Sequence, residues 1–281
     1  MAVKNRGNDA LSDSDSPSTA SAVARWFESE LGRNLLEAER EQVKTVMPGV
    51  FGYHLLQIGV FSDASLCDGA NAGHRFLLLP RVELGMPEEA VVGGFDRLPF
   101  ANDCIDAVVL HHALDFAESP HQLLREAARV LRPGGKLVVV SFNPVSFWGV
   151  FRWWRRRKAQ PPWQAHFIGR HRLNDWLALL GLGRERTLSG FYRPPITSQA
   201  WMRRLGFLER WGARYLRNQG AFLVTIASKE TLAGVKVGRG WRQRLAMPLV
   251  RPALPRAETE AARVGPVTGC DKTAGETRPK S

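Results

Sequence analysis

Cysteine and tyrosine are scarce, three of each in 281 residues. Cys67, Cys104 and Cys270 have neither the spacing of a disulfide framework nor that of zinc ligands. Disulfide-stapled and zinc-ribbon classes are therefore excluded, and the chain reads as reduced, metal-free and cytoplasmic. Long apolar runs are also missing. None approaches the roughly 18 to 20 residues that a spanning helix needs. Residues 1–20 (MAVKNRGNDALSDSDSPSTA) lack an apolar stretch of signal-peptide kind and are rich in Ser, Asp and Ala, so they read as a disordered leader.

Acidic residues are absent from one internal segment and sparse in another. Residues 150–160 (VFRWWRRRKAQ) hold four Arg, one Lys and no acid, and residues 229–281 hold eleven basic against five acidic residues. Together they account for nearly all of the net charge of +12. The remainder is close to neutral, and with 44% hydrophobic residues it can bury a full core. The expected organisation is a leader (1–20), one domain (21–230) and a basic, largely disordered tail (231–281).

Within the domain, residues 22–47 carry apolar positions at helical spacing (Trp26, Phe27, Leu31, Leu35, Leu36), with a break expected near Gly32. Short apolar runs follow at 53–60, 75–79, 90–93 and 104–110. SPHQLLREAARVLRPGG (119–135) predicts a helix with Ser119 as N-cap, Pro120 in its first turn and Pro133-Gly134-Gly135 as its stop. KLVVVSF (136–142) follows as an unbroken apolar strand. Strands without alternation are buried on both faces, which predicts a doubly wound, Rossmann-like α/β fold with a mainly parallel sheet. Ligands in such folds sit beyond the carboxyl ends of the strands, here near Gly59, Gly94, Leu110 and Ser141. Further helices are predicted around 171–182 and 199–218, and AFLVTIASK (221–229) as the last strand.

The stretch FDRLPFANDCIDAVVLHHALDF…LLREAARVLRPGGKLVVVSFNP (95–144) resembles the second half of a class I S-adenosylmethionine-dependent methyltransferase. The matching pieces are LPF, a strand entered through Asp106, a helix ending RVLRPGG and a buried strand. More narrowly, 26–228 resembles the uncharacterised bacterial YafS-type proteins, which share a WLALLG-like helix and FNP after the fifth strand. The resemblance implies methyl transfer from S-adenosylmethionine, without metal, to an acceptor that the aromatic content suggests is a small molecule.

The family's cofactor positions fall on Gly59, Phe61 and Asp63 in the first loop, Leu79 at the end of strand two, Gly94 and Phe95 after strand three, and His111 after strand four. Several depart from the family pattern. LLQIGVFSDAS keeps Gly59 but has Phe61 and Asp63 in place of later glycines. No acid stands at Leu79-Pro80 to accept the ribose hydroxyls, Glu83 being the nearest, and Gly94 replaces the adenine-binding acid, with Asp96 two residues on. The stretch between strands one and two is a poor helix, with Gly69, Asn71 and Gly73 inside it. On this resemblance His111 would line the cofactor, and His112 would face the acceptor as a general base. Either could instead satisfy loop backbone groups. Asp115 reads as a turn or cap residue, and Asn143 as a turn residue after the fifth strand.

SFWGVFRWWRRRKAQPPW (146–163) leaves three readings open. It could bind nucleic acid by phosphate contact and stacking, lie on an anionic membrane, or cover the substrate pocket within a region spanning 146–218. Weak association of Arg152–Lys158 and the tail with membrane or nucleic acid follows from the first two. The divergent loop also admits a different class of function, a catalytically degenerate methyltransferase fold serving as a binding module.

Overall fold

The computed structural model describes residues 19–230, except 61–65, 68, 81, 83–85, 88, 156–160, 197–203 and 217. The expected leader, apart from Thr19 and Ala20, and the expected tail lie outside these residues, as do Phe61, Asp63 and Glu83. Among the described residues no helix is long and apolar enough to cross a membrane.

The N-terminal amphipathic stretch forms two helices, α1 (Thr19–Phe27) and α2 (Glu30–Lys44). Ser29 caps α2 by accepting from the Gly32 amide at 3.2 Å. The break thus falls at Glu28–Ser29, and Gly32 makes it possible: a Cβ there would stand 2.3 Å from the Trp26 carbonyl oxygen.

Seven strands follow: β1 (Phe51–Gly59), β2 (Asn71–Leu79), β3 (Ala90–Val92), β4 (Ile105–His111), β5 (Leu131–Phe142), β6 (Leu182–Gly190) and β7 (Phe222–Lys229). They make one sheet in the order β3-β2-β1-β4-β5-β7-β6. All neighbours pair in parallel except β7, which runs antiparallel to both β5 and β6. This is the expected doubly wound sheet. α3 (Ala113–Phe116), α4 (Pro120–Val130), α5 (Phe147–Arg155), α6 (Arg170–Leu179) and α7 (Phe207–Tyr215) complete the fold. One face of the sheet packs on α1, α2 and Trp148, the other on α4 and α6.

Three elements differ from the sequence expectation. The helix expected over 119–135 stops at Val130, because Leu131 already pairs with Ile105 across the sheet. The helix expected near 199–218 is described over Phe207–Tyr215. LGRERTLSG forms β6, an edge strand whose polar middle gives no strand signal.

The residues that carry the resemblance are structural clamps. The Asp106 carboxylate accepts the Tyr53 and His54 amides at 2.8 and 2.9 Å and an Arg132 N–H at 2.6 Å, tying the starts of β1, β4 and β5 together. These bonds hold its pKa below the usual carboxylate value although burial opposes them. Glu126 accepts the Leu98 amide, and the Arg129 guanidinium donates to Glu126, Asn102 and the carbonyls of Leu98 and Phe100. One turn of α4 thereby holds the LPF loop against the sheet.

The crossover from β1 to β2 is unusually short. Phe51 pairs with Asn71, so the chain leaving Gly59 must return the length of β1 in twelve steps. That return is about 26 Å at roughly 3.3 Å per strand residue. Twelve residues of helix would cover only about 18 Å. None of the described residues 66, 67, 69 and 70 is helical. The face that such a helix would cover is taken by Leu66, Cys67 and Ala70 together with α1 and α2.

Candidate functional site

Strand order reverses between β1 and β4, so a crevice opens beyond their carboxyl ends. A cavity of about 580 Å³ lies there. Its lining gathers the loop after each of the first strands: Val60 after β1, Pro80 after β2, Gly94, Phe95 and Asp96 after β3, and Phe116 to Ser119 after β4. Ala20 of α1 lies on its rim. A larger hollow of about 870 Å³ sits behind the LPF loop. Its walls are the Glu126–Arg129 clamp, so we assign the site to the smaller cavity at the strand ends.

The cavity suits a cationic nucleoside derivative in size and charge. Its volume falls within the roughly 300–1,000 Å³ range of small-ligand pockets. Phe95, Phe116, Val60 and Pro80 give apolar surface for a flat base, and among the described residues the lining has two acids, Asp96 and Glu118, and no base. Both carboxylates can accept from amino or hydroxyl groups. Gly94 gives close access: a Cβ there would come within 2.5 Å of Asp96 Oδ1.

The structure thus brings Gly94 and Phe95 into the cavity wall, with Gly59 and Leu79 one residue behind the lining residues Val60 and Pro80. Asp96 and Glu118 are the acids on the described lining. Glu118 was not legible as a site residue, since it sits in a turn whose position relative to β3 only folding decides.

His111 and His112 occupy a different place. Both are fully buried, do not line the cavity, and converge on Glu39 of α2, which is fully buried too. Glu39 Oε2 lies 2.9 Å from His111 Nε2, and Oε1 lies 2.8 Å from His112 Nε2. His112 Nδ1 is 2.7 Å from Asp115 Oδ2, an oxygen that also accepts the Phe142 amide at 2.9 Å. Asp115 is therefore not a turn or cap residue but a buried partner of His112. His112 adopts a left-handed backbone (φ 49°).

Burial by itself would strip His112 of its proton. The Glu39 charge and the hydrogen bonds to Asp115 and Glu39 outweigh that and raise its pKa to about 9. Burial would likewise raise Glu39, but the His112 charge and the two imidazole hydrogen bonds hold it down to about 2. For His111 burial prevails over the Glu39 contact, so its pKa is lowered. Burial also raises Asp115, against its bond to His112. The core of the cluster is an imidazolium at His112 held by an ionised Glu39. Donor atoms of Glu39, His111 and His112 lie within 4.8 Å of one another, close enough to share a cation, although the hydrogen bonds already engage them.

Nothing in the sequence around Glu39 singles it out. Its partners are 72 and 73 residues away, and it is one of several acids on an amphipathic helix. Asn143, by contrast, holds the turn after β5 as expected, donating to the Asn218 and Gly220 carbonyls at 2.8 Å each.

A family model described as a methyltransferase domain matches residues 75–139. The uncharacterized protein YafS of Escherichia coli is 32% identical over 164 residues, which cover 58% of this chain and 67% of that protein. The demethylmenaquinone methyltransferase of Mycolicibacterium paratuberculosis is 48% identical over 56 residues, but these span only 20% of this chain and 24% of that enzyme. Among solved structures, an S-adenosylmethionine-dependent methyltransferase from Thermotoga maritima superposes with a TM-score of 0.55 at 19% identity, over 74% of this chain and 94% of that one. Another, from Mesorhizobium loti, gives 0.50 at 17% identity over 69% and 99%. With this sheet order, a cavity at its switch point, and a YafS relative matched over two thirds of its length, the chain belongs to the class I S-adenosylmethionine-dependent methyltransferases.

Proposed function

We propose that the chain transfers a methyl group from S-adenosylmethionine to a small, partly apolar acceptor at the carboxyl edge of the sheet. The observation that carries this reading is the cavity at the switch point between β1 and β4, whose described lining joins Phe95 and Phe116 to the carboxylates of Asp96 and Glu118. When bound, the cofactor supplies an electrophilic methyl on a sulfonium sulfur. Phe95 and Phe116 offer faces that orient flat groups, Asp96 and Glu118 offer acceptors for hydroxyl or amino donors, and the start of α1 shields one side from water. Holding an acceptor in line with the methyl accounts for most of the acceleration such a site has to provide.

The placement of the histidines narrows the chemistry. With His111 and His112 closed into the Glu39 cluster, the only titratable groups on the described lining are Asp96 and Glu118. The site therefore favours an acceptor that is nucleophilic at neutral pH without an imidazole base.

Calorimetric titration with S-adenosylmethionine and S-adenosylhomocysteine tests the reading. We expect micromolar binding, weakened at least tenfold by Gly94→Trp, which puts an indole on the cavity wall. No heat up to millimolar cofactor would refute it and return the chain to the non-catalytic alternative.

A further inference from the structure

We propose that α5 and α7 form a surface by which the protein docks on an anionic lipid bilayer, with the cavity edge turned toward the membrane.

On α5, Phe147, Val150, Trp153 and Trp154 are all exposed, the two tryptophans at 83% and 73%. At 3.6 residues per turn they occupy one arc of about a third of the helix, opposite the buried Trp148. On α7, Phe207, Trp211 and Tyr215 are exposed at every fourth position, while Gly212 faces inward against the Tyr192 ring. Each helix thus has a packed side and an aromatic outer side.

The two helices brace one short segment. Trp148 Nε1 donates to the Arg193 carbonyl at 3.0 Å, and Glu209 of α7 accepts the Phe191 and Tyr192 amides at 3.0 and 3.1 Å. Topology fixes their level. α5 leaves the end of β5, and α7 lies between the end of β6 and the start of β7, where Phe222 pairs with both Phe142 and Gly190. These lie at the same edge of the sheet as the ends of β1 to β4, beyond which the cavity opens.

Charge selects the occupant. α5 carries no acid, and the one acid of α7, Glu209, is turned inward onto backbone amides. Arg155, Arg210 and Arg214 are exposed beside the aromatics, and the sequence continues from Arg155 into Arg156, Arg157 and Lys158. Aromatic side chains with a basic fringe are the composition of interfacial helices, whose apolar arc enters the headgroup boundary while Arg meets lipid phosphate. Val150 favours lipid over nucleic acid, because a valine gains from hydrocarbon and offers no face on which a base can stack.

The test is co-sedimentation of the full chain with mixed phosphatidylcholine–phosphatidylglycerol vesicles, with phosphatidylcholine alone as control. Retention is expected on the anionic vesicles only, with a blue shift of tryptophan emission. Replacing Trp153→Ala and Trp154→Ala together should weaken retention at least tenfold, and Arg155→Gln roughly fivefold. These side chains are exposed, so the melting temperature and cofactor binding should not change, which separates this proposal from the assignment of the cavity. No retention of the wild type, or equal retention of the Trp153/Trp154 variant, would overturn it. So would wild-type binding to single-stranded RNA without vesicle binding, or a dimer in sedimentation analysis that the same variant dissolves.

Discussion

Replacing Glu39→Gln keeps the shape of the side chain and removes the charge that holds His112 protonated. Removing one partner of a buried charge pair costs about 3–5 kcal/mol. The acid–base properties give a similar figure: lifting an imidazole from 6.5 to about 9 corresponds to about 3 kcal/mol. The lowering of Glu39 to about 2 measures the same interaction from its other end and is not added. For a domain of this size each kcal/mol moves the melting temperature by roughly 2–4 °C, so a fall of roughly 6–20 °C is expected.

The pH dependence identifies the cause. A raised His112 pKa stabilises the folded chain fully below 6.5, and that stability is lost as pH rises through about 9. A lowered Glu39 pKa stabilises it above 4.5, and that is lost as pH falls through about 2. The gap between wild type and Glu39→Gln should therefore be widest between these limits, near pH 5 to 6.5, and narrow above pH 9. Scanning calorimetry across pH measures both. A fall of less than about 2 °C at pH 6, or a gap that stays constant through pH 10, would refute the imidazolium–carboxylate assignment.

Two further outcomes follow from the same contacts. Arg129→Met removes the donors that hold the Leu98 and Phe100 carbonyls and should cost about 1–3 kcal/mol in denaturant unfolding. It should also weaken S-adenosylmethionine binding, since the loop it anchors carries Asp96 of the cavity; unchanged stability and affinity would show that the clamp is idle. Treatment with EDTA should leave the melting temperature unchanged, because hydrogen bonds already join Glu39 to His111 and His112. A fall of several degrees that zinc restores would show that the three side chains hold an ion.

The sequence by itself determined the parallel centre of the sheet. β1, β4 and β5 are buried over most of their length, so their apolar runs had to be unbroken, and LPF, Asp106 and the helix before β5 sit where local chemistry requires clamps. The weak helix signal before Leu79 likewise agrees with the described residues of the first crossover, 66, 67, 69 and 70, none of which is helical. Tertiary structure alone decided the rest. β6 is stabilised by pairing with β7 rather than by its own residues, so a polar edge strand leaves no periodic trace. α4 ends at Val130 because β4 competes for Leu131, which no local rule weighs. The two histidines read as site residues because they follow a strand end. What removed them from the cavity was Glu39, brought by α2 from more than seventy residues away into a place where an unpaired imidazolium could not be buried.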